Sequence, residues 1–105
     1  EAFRAQRMSG DLLGLARTAA ALARVLSAGS LHREALELLR ISVELNHAKG
    51  SPLGLAYNRE ALAIVAREVA GAGEAGKGLV GELAAVEREL AFAERRWGRV
   101  ELRYE

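Results

Sequence analysis

The stretch whose spacing most suggests chemistry is Gly71-Ala72-Gly73-Glu74-Ala75-Gly76-Lys77. It fits the first part of a phosphate-binding loop, in which backbone N–H groups cradle phosphates and a lysine reaches the terminal ones. The next residue is Gly78, where a Ser or Thr hydroxyl should hold magnesium. Such a loop also needs a strand before it and a sheet around it, and the pattern of this chain offers neither. The stretch therefore reads as a glycine-rich turn between helices. His32 and His47 fall in the first and last turns of one expected helix, where an imidazole near the carbonyl end is favourable without any metal. The few serines lack the setting of a catalytic nucleophile. Glu34, Glu37, Glu44, Glu82, Glu87 and Glu89 lie among arginines at helical spacing and read as solvated faces with i,i+4 pairs. Arg95, Arg96, Arg99 and Arg103, with Trp97 and Tyr104, make a local basic and aromatic set that suits nucleic acid, diluted by Glu94, Glu101 and Glu105. No catalytic residue, metal or cofactor is expected. The chain reads as a binding protein and not as an enzyme.

Composition says what kind of element must position these residues. The 105 residues suit one domain or a short piece of a repeat array. Half are apolar, enough to bury a core, and the formal net charge of +1 gives no bulk pull toward nucleic acid or anionic membrane. The absence of cysteine removes disulfides and thiolate metal sites and leaves the redox compartment open. No apolar run approaches the roughly 18 residues of a membrane span. The first residues, EAFRAQR, are charged and lack the apolar h-region of a signal peptide. A cytoplasmic location is the expectation. Ala, Leu, Glu and Arg dominate, Pro occurs once and β-branched residues are few, so the expected fold class is all-α.

The helices are ordered by an internal repeat. Gly50 to Val65, GSPLGLAYNREALAIV, matches Gly10 to Val25, GDLLGLARTAAALARV, at nine of sixteen positions without a gap. The shared opening is G-x-x-L-G-L-A, and a fixed step of this size means stacked supersecondary units. Glu1 to Met8, in a chain that does not begin with Met, reads as the end of a preceding helix. Gly10 and Asp11 suit a C′ residue and an N-cap. A first helix follows over about 12–28, with Leu12, Leu15, Ala16, Ala19, Leu22, Ala23 and Leu26 inward. Gly29 and Ser30 repeat the stop-and-cap pair. A second helix runs over about 31–47, with Leu31, Ala35, Leu38, Leu39, Ser42 and Leu45 inward. Lys49-Gly50-Ser51-Pro52 is the strongest boundary, with a cation for the carbonyl end, Gly for C′, Ser for N-cap and Pro for N1. A third helix spans about 52–69. After the glycine-rich turn, Leu79, Leu83, Val86, Leu90, Ala93, Trp97, Val100 and Tyr104 alternate steps of four and three, a heptad stripe. The last helix is expected to outrun the second and to reach at least Trp97. One helical domain results: 1–9 as the end of a preceding helix, 10–49 and 50–90 as two repeats, and 91–105 as an extension of the last helix.

The helix–turn–helix unit resembles the tetratricopeptide repeat, in the long-period form of bacterial regulatory proteins. Leu22-Ala23 and Leu62-Ala63 match its apolar–small pair in helix A; Ala35 and Ala75 match the small residue opening helix B; Leu39 and Leu79 match the bulky residue four later. A small residue lets two helix backbones approach while the bulky one fills the neighbouring groove. The resemblance departs at Ala19 and Arg59, Leu26 and Ala66, and Ser42 and Glu82, and it lacks the closing proline. It implies antiparallel helix pairs and a protein-interaction scaffold within a larger regulatory protein. The partner-facing positions it implies are Arg17, Arg24, Ser27, Tyr57, Glu60, Ile64 and Arg67, whose arginines suit an acidic peptide. A second reading is a self-associating bundle, a homodimer formed along Leu90, Ala93, Trp97, Val100 and Tyr104. A nucleic-acid-binding helical domain is the third. No membrane partner is expected.

Overall fold

The computed structural model describes residues 12–102, with side chains from residue 16 onward. Glu1 to Met8, the Gly10–Asp11 cap, Arg103 and Tyr104 lie outside the described residues, as do the side chains of Leu12 and Leu15. The described residues form five helices and no strand: α1 (Leu12–Ala28), α2 (His32–Lys49), α3 (Pro52–Ala70), the single turn α4 (Glu74–Lys77) and α5 (Val80–Trp97). The chain is all-α, and none of these helices is long and apolar enough to cross a membrane.

The boundary between α2 and α3 forms as its four residues dictate. Gly50 takes the left-handed conformation (φ 70°), and its N–H and that of Ser51 close on the carbonyls of His47 and Asn46. The Ser51 hydroxyl accepts from the Gly54 N–H at 3.0 Å, and Pro52 opens α3. The first turn is built differently from the expectation. The left-handed residue after α1 is Ser30 (φ 70°), not Gly29, and Leu31 rather than Ser30 precedes α2. The reason is the hydrogen-bond count. Leu31 N–H reaches the Leu26 carbonyl at 2.8 Å and Ser30 N–H reaches that of Ser27 at 3.0 Å, a closure that places the left-handed residue one position later.

Contacts fix the helix directions. The Ser42 hydroxyl, in the second half of α2, donates to the Ala16 carbonyl near the start of α1, while His32 at the start of α2 pairs with Ser27 at the end of α1. These two helices run in opposite senses. Arg33 and Arg40 of α2 meet Glu82 and Glu89 of α5 in the same order, so α2 and α5 run in the same sense. Within the core, Ala20, Ala23, Ala35, Leu36, Leu39, Val43, Leu55, Leu62, Val65, Val86 and Leu90 form one apolar cluster. Leu36 and Val43 join Leu39 there because α2 packs against α1, α3 and α5 and so needs a wide apolar arc. Leu31, expected inward, is 47% exposed, and Leu22 is 38% exposed.

The glycine-rich stretch is pinned against α3 at one residue. Gly76 is buried, and a Cβ there would lie 3.0 Å from the Val69 carbonyl carbon, with the oxygen nearer still. The position of closest approach is therefore Gly76, not Ala75, which is exposed. The glycines also divide the last helix from its expected start, so α5 is 18 residues long, the same as α2. Gly98 (φ 96°) ends it, and residues 98–102 are not helical.

Candidate functional site

The helices α1 and α3 lie side by side, and together they present six of the seven residues expected to face a partner. Arg17 of α1 places its guanidinium over the Tyr57 ring of α3, 5.6 Å from the centroid. Farther along, Arg24 approaches Glu60 at 3.8 Å. Arg24, Glu60, Ile64 and Arg67 line one open groove, together with Ala63. Ser27 is the exception. It is 1% exposed, and its hydroxyl is committed to Nδ1 of His32 at 2.9 Å, so it braces the α1–α2 turn and offers nothing to a partner.

At the Arg17–Tyr57 end the face opens into a small pocket of about 80 Å³. Its floor comes from residues the spacing argument did not select: Ser42 and Asn46 of α2 and Asn58 of α3. Their hydrogen bonds form one directed chain. A backbone carbonyl only accepts, so Ser42 must donate to Ala16 O (2.7 Å). The Ser42 oxygen then accepts from Asn58 Nδ2 (2.6 Å), and Asn58 Oδ1 accepts from Asn46 Nδ2 (2.8 Å). Asn46 Oδ1 is left buried without a partner, pressed against Gly54. The available signal was the asparagines themselves, since Asn is a poor helix-interior residue and two of them flank one turn. Leu53, 47% exposed, forms part of the pocket wall.

The residues expected to make a second copy adhere are placed otherwise. Leu90 and Ala93 are fully buried inside the single chain. Trp97 lies on its own α2–α3 turn, its ring 3.2 Å from where a Gly50 Cβ would stand, and is 37% exposed; Val100 is 41% exposed. The chain covers its own heptad stripe through Ala93, because α5 packs against both α2 and α3. Beyond Ala93 the stripe is only partly covered, at Trp97 and Val100.

Arg59 rivets α5 to α3. Its guanidinium donates to both oxygens of Glu87 at 2.7 Å and to Glu94 at 2.5 and 3.2 Å. The bond to Glu94 is the main cause that pushes its pKa above the ordinary arginine value, against a smaller opposing effect of burial, with Glu87 adding to the rise. Arginine is already protonated at any working pH, so this pairing adds no proton switch.

The chemistry-bearing motifs have structural settings. Lys77 and Glu74 form an exposed i,i+3 pair on the four-residue α4. Glu44 and His47 stand three apart, a spacing used by some metal helices, yet Glu44 pairs with Arg40 and His47 packs edge-on against Phe92 at 5.5 Å. Among the described residues no group of three His, Asp or Glu is placed to hold a metal. Comparison with family models, with curated proteins and with solved structures gives no match to this chain.

Proposed function

We propose that this chain is a non-catalytic helical repeat module that binds another protein, taking an extended acidic segment along the face shared by α1 and α3. The observation that carries the reading is the grouping of Arg17, Arg24 and Arg67 with Tyr57 and Ile64 on that face. Guanidinium forks match carboxylates two bonds at a time. Arg17 and Arg67 have no carboxylate partner among the described residues. Tyr57 and Ile64 add apolar area between the charges, and the pocket beside Tyr57 admits one small side chain. In this reading α1–α2 and α3–α5 are two tetratricopeptide-like pairs related by the forty-residue step. The opposite senses of α1 and α2, the common sense of α2 and α5, and the small residues at Ala35 and Gly76 support it.

The test is a titration of fluorescein-labelled peptides, one rich in Asp and Glu with interspersed Leu, one of the same length with Asn and Gln in their place. The acidic peptide should bind, and Arg17→Glu with Arg67→Glu should weaken it more than about tenfold, since charge-assisted bonds are worth about 1.5–3 kcal/mol each. Equal binding of the two peptides, or full affinity in the double variant, overturns the proposal.

A further inference from the structure

α5 sorts its side chains into three zones around its circumference. Val86, Leu90 and Ala93 face the core. Glu82 and Glu89 flank that stripe on one side and meet Arg33 and Arg40 of α2. Glu87 and Glu94 flank it on the other and both meet Arg59 of α3. Every glutamate of α5 is thereby turned toward the body of the protein. The arginines of the same helix are not. Arg88, Arg95 and Arg96 are exposed, and none has an ion pair among the described residues. At 3.6 residues per turn these three and Phe92 fall within about 100° of the helix circumference.

The aromatic rings are part of this surface. Phe92 is 54% exposed, with the Arg95 guanidinium 5.9 Å from its centroid. Arg96 lies 4.8 Å from the centroid of the Trp97 ring. Glu94, adjacent to the arginine run in the sequence, has only 9% of its side chain exposed and is spent on Arg59 and Arg99. The charge of +1 for the whole chain thus hides a local surface with three uncompensated arginines.

We propose that the outer face of α5 binds single-stranded nucleic acid, a surface and a partner separate from those of the α1/α3 face. Guanidinium groups pair two-pronged with phosphate oxygens, and the exposed Phe92 ring offers a stacking platform for an unpaired base. A purely acidic chain such as polyglutamate satisfies the arginines and leaves the ring without a matching group. A duplex keeps its bases stacked and gives the ring nothing. Three phosphate contacts on a single strand predict a plot of log affinity against log salt with a slope of about −2.

The experiment uses the full chain and fluorescein-labelled twelve-nucleotide oligo-dT and oligo-U, followed by anisotropy between 20 and 200 mM NaCl. Binding is expected at low salt with that slope. Arg95→Ala with Arg96→Ala should flatten the slope by about 1.4 and weaken binding at least tenfold. Phe92→Leu keeps the apolar contact with His47 and removes the ring face, so it should weaken binding about tenfold with the slope unchanged. Thermal melts of the variants should match wild type, because the substituted groups are exposed. The proposal fails if no strand binds at 20 mM salt, or if either variant binds as wild type. It fails equally if polyglutamate, a hairpin duplex or phosphatidylserine vesicles compete as well as the single strand does.

Discussion

Gly54→Ala sets two effects of opposite sign against each other at one buried position. Gly54 lies in the first turn of α3, where alanine is the better helix former by about 1 kcal/mol. On propensity alone the substitution stabilises. A Cβ there, however, would stand 2.5 Å from Cγ and 2.8 Å from Nδ2 of Asn46, with Oδ1 nearer still. Asn46 is 2% exposed and cannot swing aside freely, because its Nδ2 is bonded to Asn58, and Asn58 in turn to Ser42. Moving it forfeits at least one buried hydrogen bond, about 1–3 kcal/mol, and crowds a packed site, about 1–3 kcal/mol. The net expectation is a loss of about 1–5 kcal/mol after the helix gain is subtracted. In a domain of this size that lowers the melting temperature by at least about 4 °C. The assay is thermal and urea unfolding of four proteins: wild type, Gly54→Ala, Asn46→Ala and the double variant. With Asn46 truncated the new methyl has room, so Gly54→Ala should turn neutral or stabilising, giving a coupling of at least about 1 kcal/mol. A Gly54→Ala protein that melts above wild type, or the same effect in both backgrounds, refutes the reasoning.

Gly76→Ala tests the packed turn. Its Cβ would meet the Val69 backbone, which cannot rotate away, so a loss of about 1–3 kcal/mol is expected, with faster amide exchange in the last turn of α3. Ala75→Leu is the matched control at an exposed neighbour and should change stability by less than about 0.5 kcal/mol. Ala35→Leu crowds a site that is 0% exposed and should lower the urea midpoint, again by about 1–3 kcal/mol, without changing the denaturant slope. A neutral result would mean that the helices can part there at no cost.

The boundary between α2 and α3 was legible because its residues carry their own chemistry. Gly50, Ser51 and Pro52 each have one preferred place at a helix end, and the chain uses all three there. The face each helix buries was less legible. The twin segments share Leu22-Ala23 and Leu62-Ala63, yet Ala23 is buried and Ala63 exposed, while Leu62 is buried and Leu22 is 38% exposed. Identical local sequence meets different neighbours: α3 is packed by α1, α2 and α5, and α1 by α2 and α3. Periodicity gives the width of an apolar stripe but not the direction it turns when several helices compete for it.

The charged residues show the same limit more sharply. Along α5 glutamates and arginines alternate so closely that the sequence reads as one mixed, solvated surface. Each residue advances the direction of its side chain by about 100°, so neighbours in sequence point to different surroundings. Glu94 and Arg95 are adjacent in the chain, yet one turns in to Arg59 and the other turns out over Phe92. What sorts them is the position of partners on other helices. Arg59 of α3 is the partner that both Glu87 and Glu94 turn toward. With Glu87 and Glu94 held by Arg59, and Glu82 and Glu89 by Arg33 and Arg40, the arginines of α5 have no carboxylate left on their own helix. A cationic outer face is then a consequence of these ion pairs, and removing the Arg59 pairing should weaken it. Arg59→Met would release Glu87 and Glu94 toward solvent and toward Arg95. If the charge zoning arises in this way, that variant should weaken binding of an oligo-dT strand even though Arg59 lies off the proposed surface. Undiminished binding by Arg59→Met, with its melt showing a folded protein, would mean that the outer arginines act independently of where the glutamates point.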